Sequence, residues 1–166
     1  MKRVVHRSGR RSTILGLGVG LFLVGGLAAP AVQALDMVPT CEGLPATIVG
    51  TDKNDKITGT EGPDVIVGLD GNDKIDALGG DDTVCGNKGN DKIEGGAGDD
   101  SLRGGAGNDK VYGGDENDTL RGNEGNDKLY GDEGSDRLIG GRGNDKCDGG
   151  EGVDTAERCE STKDTP

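Results

Sequence analysis

Twelve aspartates recur at intervals of nine residues: Asp55, Asp64, Asp73, Asp82, Asp91, Asp100, Asp109, Asp118, Asp127, Asp136, Asp145 and Asp154. Each carboxylate offers two hard oxygen ligands, and twelve of them in one phase describe a repeated ligand. A catalytic constellation would need a nucleophile or base set apart from the rest. After Ala34 the chain has no His, and its serines are Ser101, Ser135 and Ser161, so the chain is read as a non-enzyme. The aspartates point to a cation that takes six to eight oxygens from carboxylates and backbone carbonyls, which is the preference of calcium. Zinc and copper are disfavoured because imidazole is missing and thiols are few. Magnesium would keep its water shell rather than enter a cage of carbonyls.

The aspartates sit at position 6 of twelve consecutive nine-residue units that run from Gly50 to Glu157 without insertion. Position 1 is Gly except at Ala77, and position 4 is Gly except at Lys53 and Glu116. Glycine there lets a turn take dihedral angles closed to other residues, so that carbonyls can face a common centre. Position 8 is apolar throughout, from Ile57 to Cys147 and Ala156, between mostly polar positions 7 and 9. That alternation predicts a short strand after each aspartate, with position 8 inward. A fixed period of this kind predicts a solenoid whose units bury their apolar residue only by stacking.

A second period of 18 lies over the first. Asn-Asp-Lys recurs at 54–56, 72–74, 90–92, 108–110, 126–128 and 144–146, while the alternate units carry other residues beside the aspartate. Two units per coil follow, with odd and even units in separate columns and about six coils spaced by about 4.8 Å, the distance between neighbouring strands. The expected fold is an all-β solenoid, with the aspartate loops stacked in two columns. Ions would then bridge aspartates 18 apart, such as Asp91 and Asp109. Tyr112 and Tyr130 would lie one coil apart.

Composition reinforces the need for a cation. All 31 acidic residues follow Ala34, whereas five of the 19 basic ones precede it, so the remainder carries 14 basic against 31 acidic groups, a formal −17. Such charge disfavours nucleic acid and anionic membranes as partners. Few large apolar groups with high net charge is the composition of a disordered chain. One apolar residue per nine does not offset backbone ordering of about 1–2 kcal/mol per residue. Aspartates stacked at strand spacing would repel one another unless neutralised. Two columns of six loops leave five gaps each, hence several calcium ions and at most about ten. An EF-hand does not fit, since Ile75 and Asp81 stand where the loop starting at Asp70 needs Gly and Glu.

The units resemble the haemolysin-type, or RTX, calcium-binding nonapeptide G-G-x-G-x-D-x-U-x. Gly95–Arg103 and Gly104–Tyr112 match it at every fixed position. The resemblance implies a parallel β-roll with calcium held between successive loops of each column. It also implies that the twelve position-6 aspartates, Asp55 to Asp154, are the metal ligands. Lys53 and Glu116 depart from the glycine rule in the first and eighth loops. Familiar members carry the roll on a protease, lipase or pore-forming toxin; here the expectation is a stand-alone roll.

The chain is divided as a signal peptide (1–34), an N-terminal cap (35–49), the roll (50–157) and a C-terminal cap and tail (158–166). Lys2, Arg3, Arg7, Arg10 and Arg11 precede an apolar stretch from Ile14 to Ala29, and Val32-Gln33-Ala34 offers small residues before a cut. Within the cap, Ile48 keeps the apolar phase but Ala46 replaces the aspartate. Residues 160–166 are expected as a loose tail. Four cysteines allow three pairings. Cys85 belongs to the second coil and Cys147 to the sixth, too far apart for a disulfide. The expected pairs are Cys41–Cys85 and Cys147–Cys159, one at each end.

These readings converge on a secreted, extracellular, monomeric calcium-binding protein that folds on binding several Ca2+ ions. Its role would be that of a surface or matrix interaction module or an accessory factor, without membrane insertion. A calcium-dependent ice-binding or carbohydrate-binding adhesin is the alternative, and a non-enzymatic spacer stands behind it. Position 3 carries no threonine array of the kind an ice-binding face would need.

Overall fold

The structure, a computed structural model, describes residues 38–163. The signal segment, residues 35–37 of the N-terminal cap and residues 164–166 of the tail lie outside the described residues. A short hairpin comes first, β1 (Thr40–Cys41) with β2 (Leu44–Pro45), the pair being antiparallel. Two seven-stranded parallel sheets follow. One sheet begins with β3 (Ile48–Val49) of the cap and continues with the even units' β5 (Val65–Asp70), β7 (Thr83–Lys88), β9 (Ser101–Ala106), β11 (Thr119–Glu124), β13 (Arg137–Arg142) and β15 (Thr155–Glu157). The other holds the odd units' β4 (Lys56–Thr60), β6 (Lys74–Gly79), β8 (Lys92–Ala97), β10 (Lys110–Asp115), β12 (Lys128–Glu133) and β14 (Lys146–Glu151), and ends with β16 (Ser161–Lys163) of the C-terminal segment.

Register follows the 18-residue period. Lys110 lies opposite Lys92 on one side and Lys128 on the other, and Leu120 lies between Leu102 and Leu138. Each coil therefore contains one odd and one even unit, and the whole is a β-solenoid of about six turns, a β-roll. Tyr112 and Tyr130 stack with ring centroids 4.8 Å apart and planes 9° from parallel, which is the coil spacing expressed in side chains.

The position-8 residues of both sheets meet in one core. Ile48, Ile57, Ile66, Ile75, Val84, Ile93, Leu102, Val111, Leu120, Leu129, Leu138 and Cys147 are all buried, most of them completely. Ala156, counted with them in the sequence, is exposed because the last even turn has no coil above it. The strands are also longer than the period-2 pattern implied. They continue through positions 9, 1, 2 and 3, as in Lys92–Ala97, so positions 1–3 belong to the paired strand rather than to the turn. What bends them is position 2, which takes positive φ even at Leu69 (φ 82°), Leu78 (78°), Asn87 (80°), Asn123 (82°) and Asp132 (75°). Non-glycine residues reach that region at a cost of about 1–2 kcal/mol each. The turn itself is reduced to positions 4–6.

The two ends depart from the repeat. The hairpin of β1 and β2 lies along the outer face of the even sheet. There Cys41, Val67 and Cys85 form a second small core with Ala46, Val65 and Leu69 around it. Glu42 extends this clasp by pairing with Arg103 at 2.6 Å and Arg121 at 2.9 Å, the position-9 residues of the next two even units. Cys41 is bonded to Cys85, and Cys147 to Cys159. At the other end the expected loose tail is ordered as far as β16, which pairs with β14 and extends the odd sheet.

Candidate metal centre

Every interior position-6 aspartate has the same environment. Its Oδ1 accepts the backbone N–H of the aspartate 18 residues earlier. Asp91 N–H donates to Asp109 Oδ1 at 2.8 Å, Asp109 N–H to Asp127 Oδ1 at 2.8 Å, and Asp100 N–H to Asp118 Oδ1 at 2.8 Å. The structure therefore links aspartates that are column neighbours, not sequence neighbours. The other oxygen, Oδ2, is buried without a hydrogen-bond partner in Asp73, Asp82, Asp91, Asp100, Asp109, Asp118, Asp127, Asp136 and Asp145. Each of those nine residues is at most 3% exposed. A buried, ionised oxygen with no donor is costly, and repetition in two columns makes it a property of the design.

The glycines explain how those oxygens are reached. A Cβ on Gly104 would lie 2.3 Å from Asp109 Oδ2, closer than any side chain tolerates. At Gly107, where φ is +135°, a Cβ would lie 1.9 Å from the Gly89 carbonyl oxygen of the coil before. Position 1 therefore admits the orphan carboxylate oxygen against the backbone, and position 4 brings the turn backbones of successive coils together. Among the described residues no three His, Cys, Asp or Glu side chains converge on one point. A cation here would draw on one or two carboxylates and on backbone carbonyls, the donor set of calcium rather than of zinc. The unsatisfied Oδ2 atoms, brought close to backbone carbonyl oxygens of the next coil at the position-1 glycines, fit that ion.

Burial acts on these acids first. It pushes the Asp118 carboxyl up to about 8, Asp100 and Asp109 to about 7, and Asp82, Asp91 and Asp127 to about 6. The amide hydrogen bond opposes the shift, and the negative charge of column neighbours adds to it. Asp73, Asp136 and Asp145 move in the same direction for the same leading reason. A metal-free fold thus favours protons where a cation would otherwise sit.

The twelve aspartates are not equivalent. Asp55 and Asp154 are half-buried at the ends of their columns. Asp55 Oδ2 accepts from both the amide and the hydroxyl of Thr51, each at 2.6 Å, and Asp64 Oδ2 accepts likewise from Thr60 at 2.8 and 2.9 Å. In the first turn of each column, threonine at position 2 supplies the donors that the interior lacks. The sequence assigns these two aspartates the same ligand role as the rest; the threonines beside them give their Oδ2 atoms hydrogen-bond donors that the other turns lack.

The position-5 asparagines form a second ladder. Their side-chain Oδ1 atoms accept the position-5 amide of the next coil, from Asn72 N–H on Asn54 Oδ1 to Asn144 N–H on Asn126 Oδ1. Position 6 binds back to the preceding coil and position 5 binds forward to the following one, so each turn is held from both sides. The 18-residue recurrence of Asn-Asp-Lys is the sequence trace of that ladder. In the even column Asp99, Asn117 and Ser135 do the same work. Glu116, one of the two departures at position 4, takes a positive φ of 73° and reaches the Gly98 amide at 2.8 Å.

No curated protein matches the chain. The RTX calcium-binding nonapeptide repeat matches in four copies, over residues 49–84, 58–93, 86–120 and 121–156. Together with the two-unit coil, the glycine-lined turns and the orphan carboxylate oxygens, these matches decide the assignment. The chain belongs to the RTX calcium-binding nonapeptide repeat family.

Proposed function

We propose that this protein is a secreted, non-catalytic calcium module whose fold is completed by several Ca2+ ions lodged between successive turns of each column. One observation carries the reading: nine buried Asp Oδ2 atoms without a partner, stacked in two columns beside glycines whose missing Cβ lets the carboxylate oxygen and a carbonyl of the next coil come together. The position-6 aspartates from Asp73 to Asp145 would supply one carboxylate oxygen per turn, with turn carbonyls completing the shell. Asp55, Asp64 and Asp154 would close the columns and bind less tightly. Calcium supplies the positive charge that the interior turns lack, and with eight or nine ions the −17 of residues 35–166 approaches neutrality.

Two disulfides in a chain with an N-terminal signal-like segment support an oxidising, extracellular setting. An interaction or accessory role at a surface or matrix suits a rigid, acidic, unbranched roll. The tyrosine pair does not favour the carbohydrate-binding alternative. One face of Tyr112 is against Tyr130, and the Lys92 ammonium lies over the Tyr112 ring at 5.2 Å from its centre. Calcium titration of the metal-free, oxidised protein, followed by far-UV circular dichroism, tests the proposal. Disordered signal without metal and β signal at millimolar calcium are expected. A metal-free spectrum already matching the calcium form would refute it.

A further inference from the structure

The odd column does not stop at Asp145. A thirteenth unit in unbroken phase would begin at Arg158 and place Lys163 at the aspartate position. Unbroken phase would also pair Lys146 with residue 164. Instead β16 pairs with β14 three residues early, Lys146 with Ser161 and Cys147 with Thr162. The last turn is therefore contracted by three residues, and Glu160 stands directly before the strand, where every other unit has its aspartate. Its carboxylate accepts the backbone N–H of Asp145, the contact each interior aspartate makes with its predecessor. The separation is 15 residues rather than 18, and the extra methylene of glutamate extends its reach across the shorter turn.

The oxygen set of an interior gap is reproduced as well. Asp145 is fully buried and its Oδ2 has no hydrogen-bond partner. A Cβ on Gly140 would meet Asp145 Oδ2 at 2.6 Å and the Arg158 carbonyl oxygen at 2.2 Å. One coil earlier, a Cβ on Gly122 would meet Asp127 Oδ2 at 2.2 Å and the Gly140 carbonyl oxygen at 2.6 Å. The Cys147–Cys159 disulfide ties the contracted turn to the strand beneath it.

We infer that Glu160, Asp145 and the Arg158 carbonyl form a further divalent-cation site that closes the odd column, with Glu160 in the place of a thirteenth aspartate. This rests on the calcium reading above and extends it: the odd column has six gaps, whereas the even column, ending at Asp154, has five. Native mass spectrometry of the oxidised protein in calcium counts the ions. Glu160→Gln keeps an acceptor for the Asp145 amide but removes the charge, and it should carry one ion fewer than the wild type. Glu160→Asp keeps the charge but shortens the reach, and it should lose the same ion. An unchanged count in Glu160→Gln overturns the site, whereas a wild type that holds no calcium overturns the reading beneath it. Should the variants not fold, carboxyl-selective labelling of the wild type still decides. Protection of Glu160 in calcium supports the site, and labelling as complete as in chelator refutes it.

Discussion

The interior turns and the two ends of the roll hold the same kind of carboxylate by different means. At the start of the columns, Thr51 and Thr60 donate to the aspartates, a disulfide pins the hairpin to the even sheet, and Glu42 bridges to two arginines. At the far end a second disulfide and Glu160 close the odd column. From Asp73 to Asp145, nine Oδ2 atoms are buried with no donor at all. Protein atoms alone satisfy the first turns, while the turns beyond them keep carboxylate oxygens that no protein donor reaches. The difference teaches where the proposed calcium would matter: the first turns are held by covalent and local contacts, whereas the turns from Asp73 to Asp145 keep a carboxylate oxygen that no protein donor satisfies.

Removing calcium should break this contrast most severely. Chelation should unfold the interior coils while both disulfides survive, leaving an expanded, cross-linked chain. Hydrogen exchange should show protection lost from β6 to β14, with any residual protection near Cys41–Cys85. Equal protection along the chain without metal would abolish the distinction.

The staples come next. Cys41 and Cys85 are 44 residues apart, and Cys147 and Cys159 are 12 apart. Loop-closure entropy gives about 4 kcal/mol for the first and about 3 kcal/mol for the second. Paired Cys→Ser variants, unfolded by urea in saturating calcium, should rank in that order.

Single aspartates sharpen the comparison further. Asp109→Ala leaves the buried Asp91 amide without an acceptor and should cost about 1–3 kcal/mol besides weakening calcium binding. Asp55→Ala removes a half-buried terminal group and should cost less. Equal calcium midpoints for the two variants would show that the columns do not distinguish interior from end.

Acid should act in opposite directions with and without metal. The carboxyls of Asp118, Asp100 and Asp109 are raised in the fold to about 8, 7 and 7. An acid whose folded pKa exceeds its unfolded value penalises the fold fully above the folded pKa, and the penalty fades as pH falls toward the unfolded value. The metal-free protein should thus gain structure between pH 8 and pH 5, while the calcium needed for half-folding rises as protons compete. Asp118→Asn should reproduce both effects at pH 8. A calcium midpoint independent of pH across that range would contradict the burial of these groups.

The smallest effect should come from the clasp. Glu42 and its two arginines are partly exposed, and pairs of that kind contribute about 0.2–1 kcal/mol. Glu42→Gln should shift the urea midpoint slightly in calcium and leave the calcium count unchanged.

Much of this architecture was legible in the chain itself. Position 8 identified the core, the 18-residue recurrence of Asn-Asp-Lys set the register, and coil arithmetic chose the cysteine pairs. Strict periodicity makes this possible, because each unit meets copies of itself and one local rule propagates through the stack. Tertiary structure decided where that rule ends. It showed that the strands run on through position 3, that Asp55 and Asp64 are held by threonines, and that residues 38–47 lie along the even sheet rather than beyond its end. It also showed that Glu160, out of phase by three residues, stands in the aspartate column. These features break the period, so no repeat could announce them. They depend on which side chain, at the edge of a column, comes within hydrogen-bonding reach of a turn with no coil beyond it.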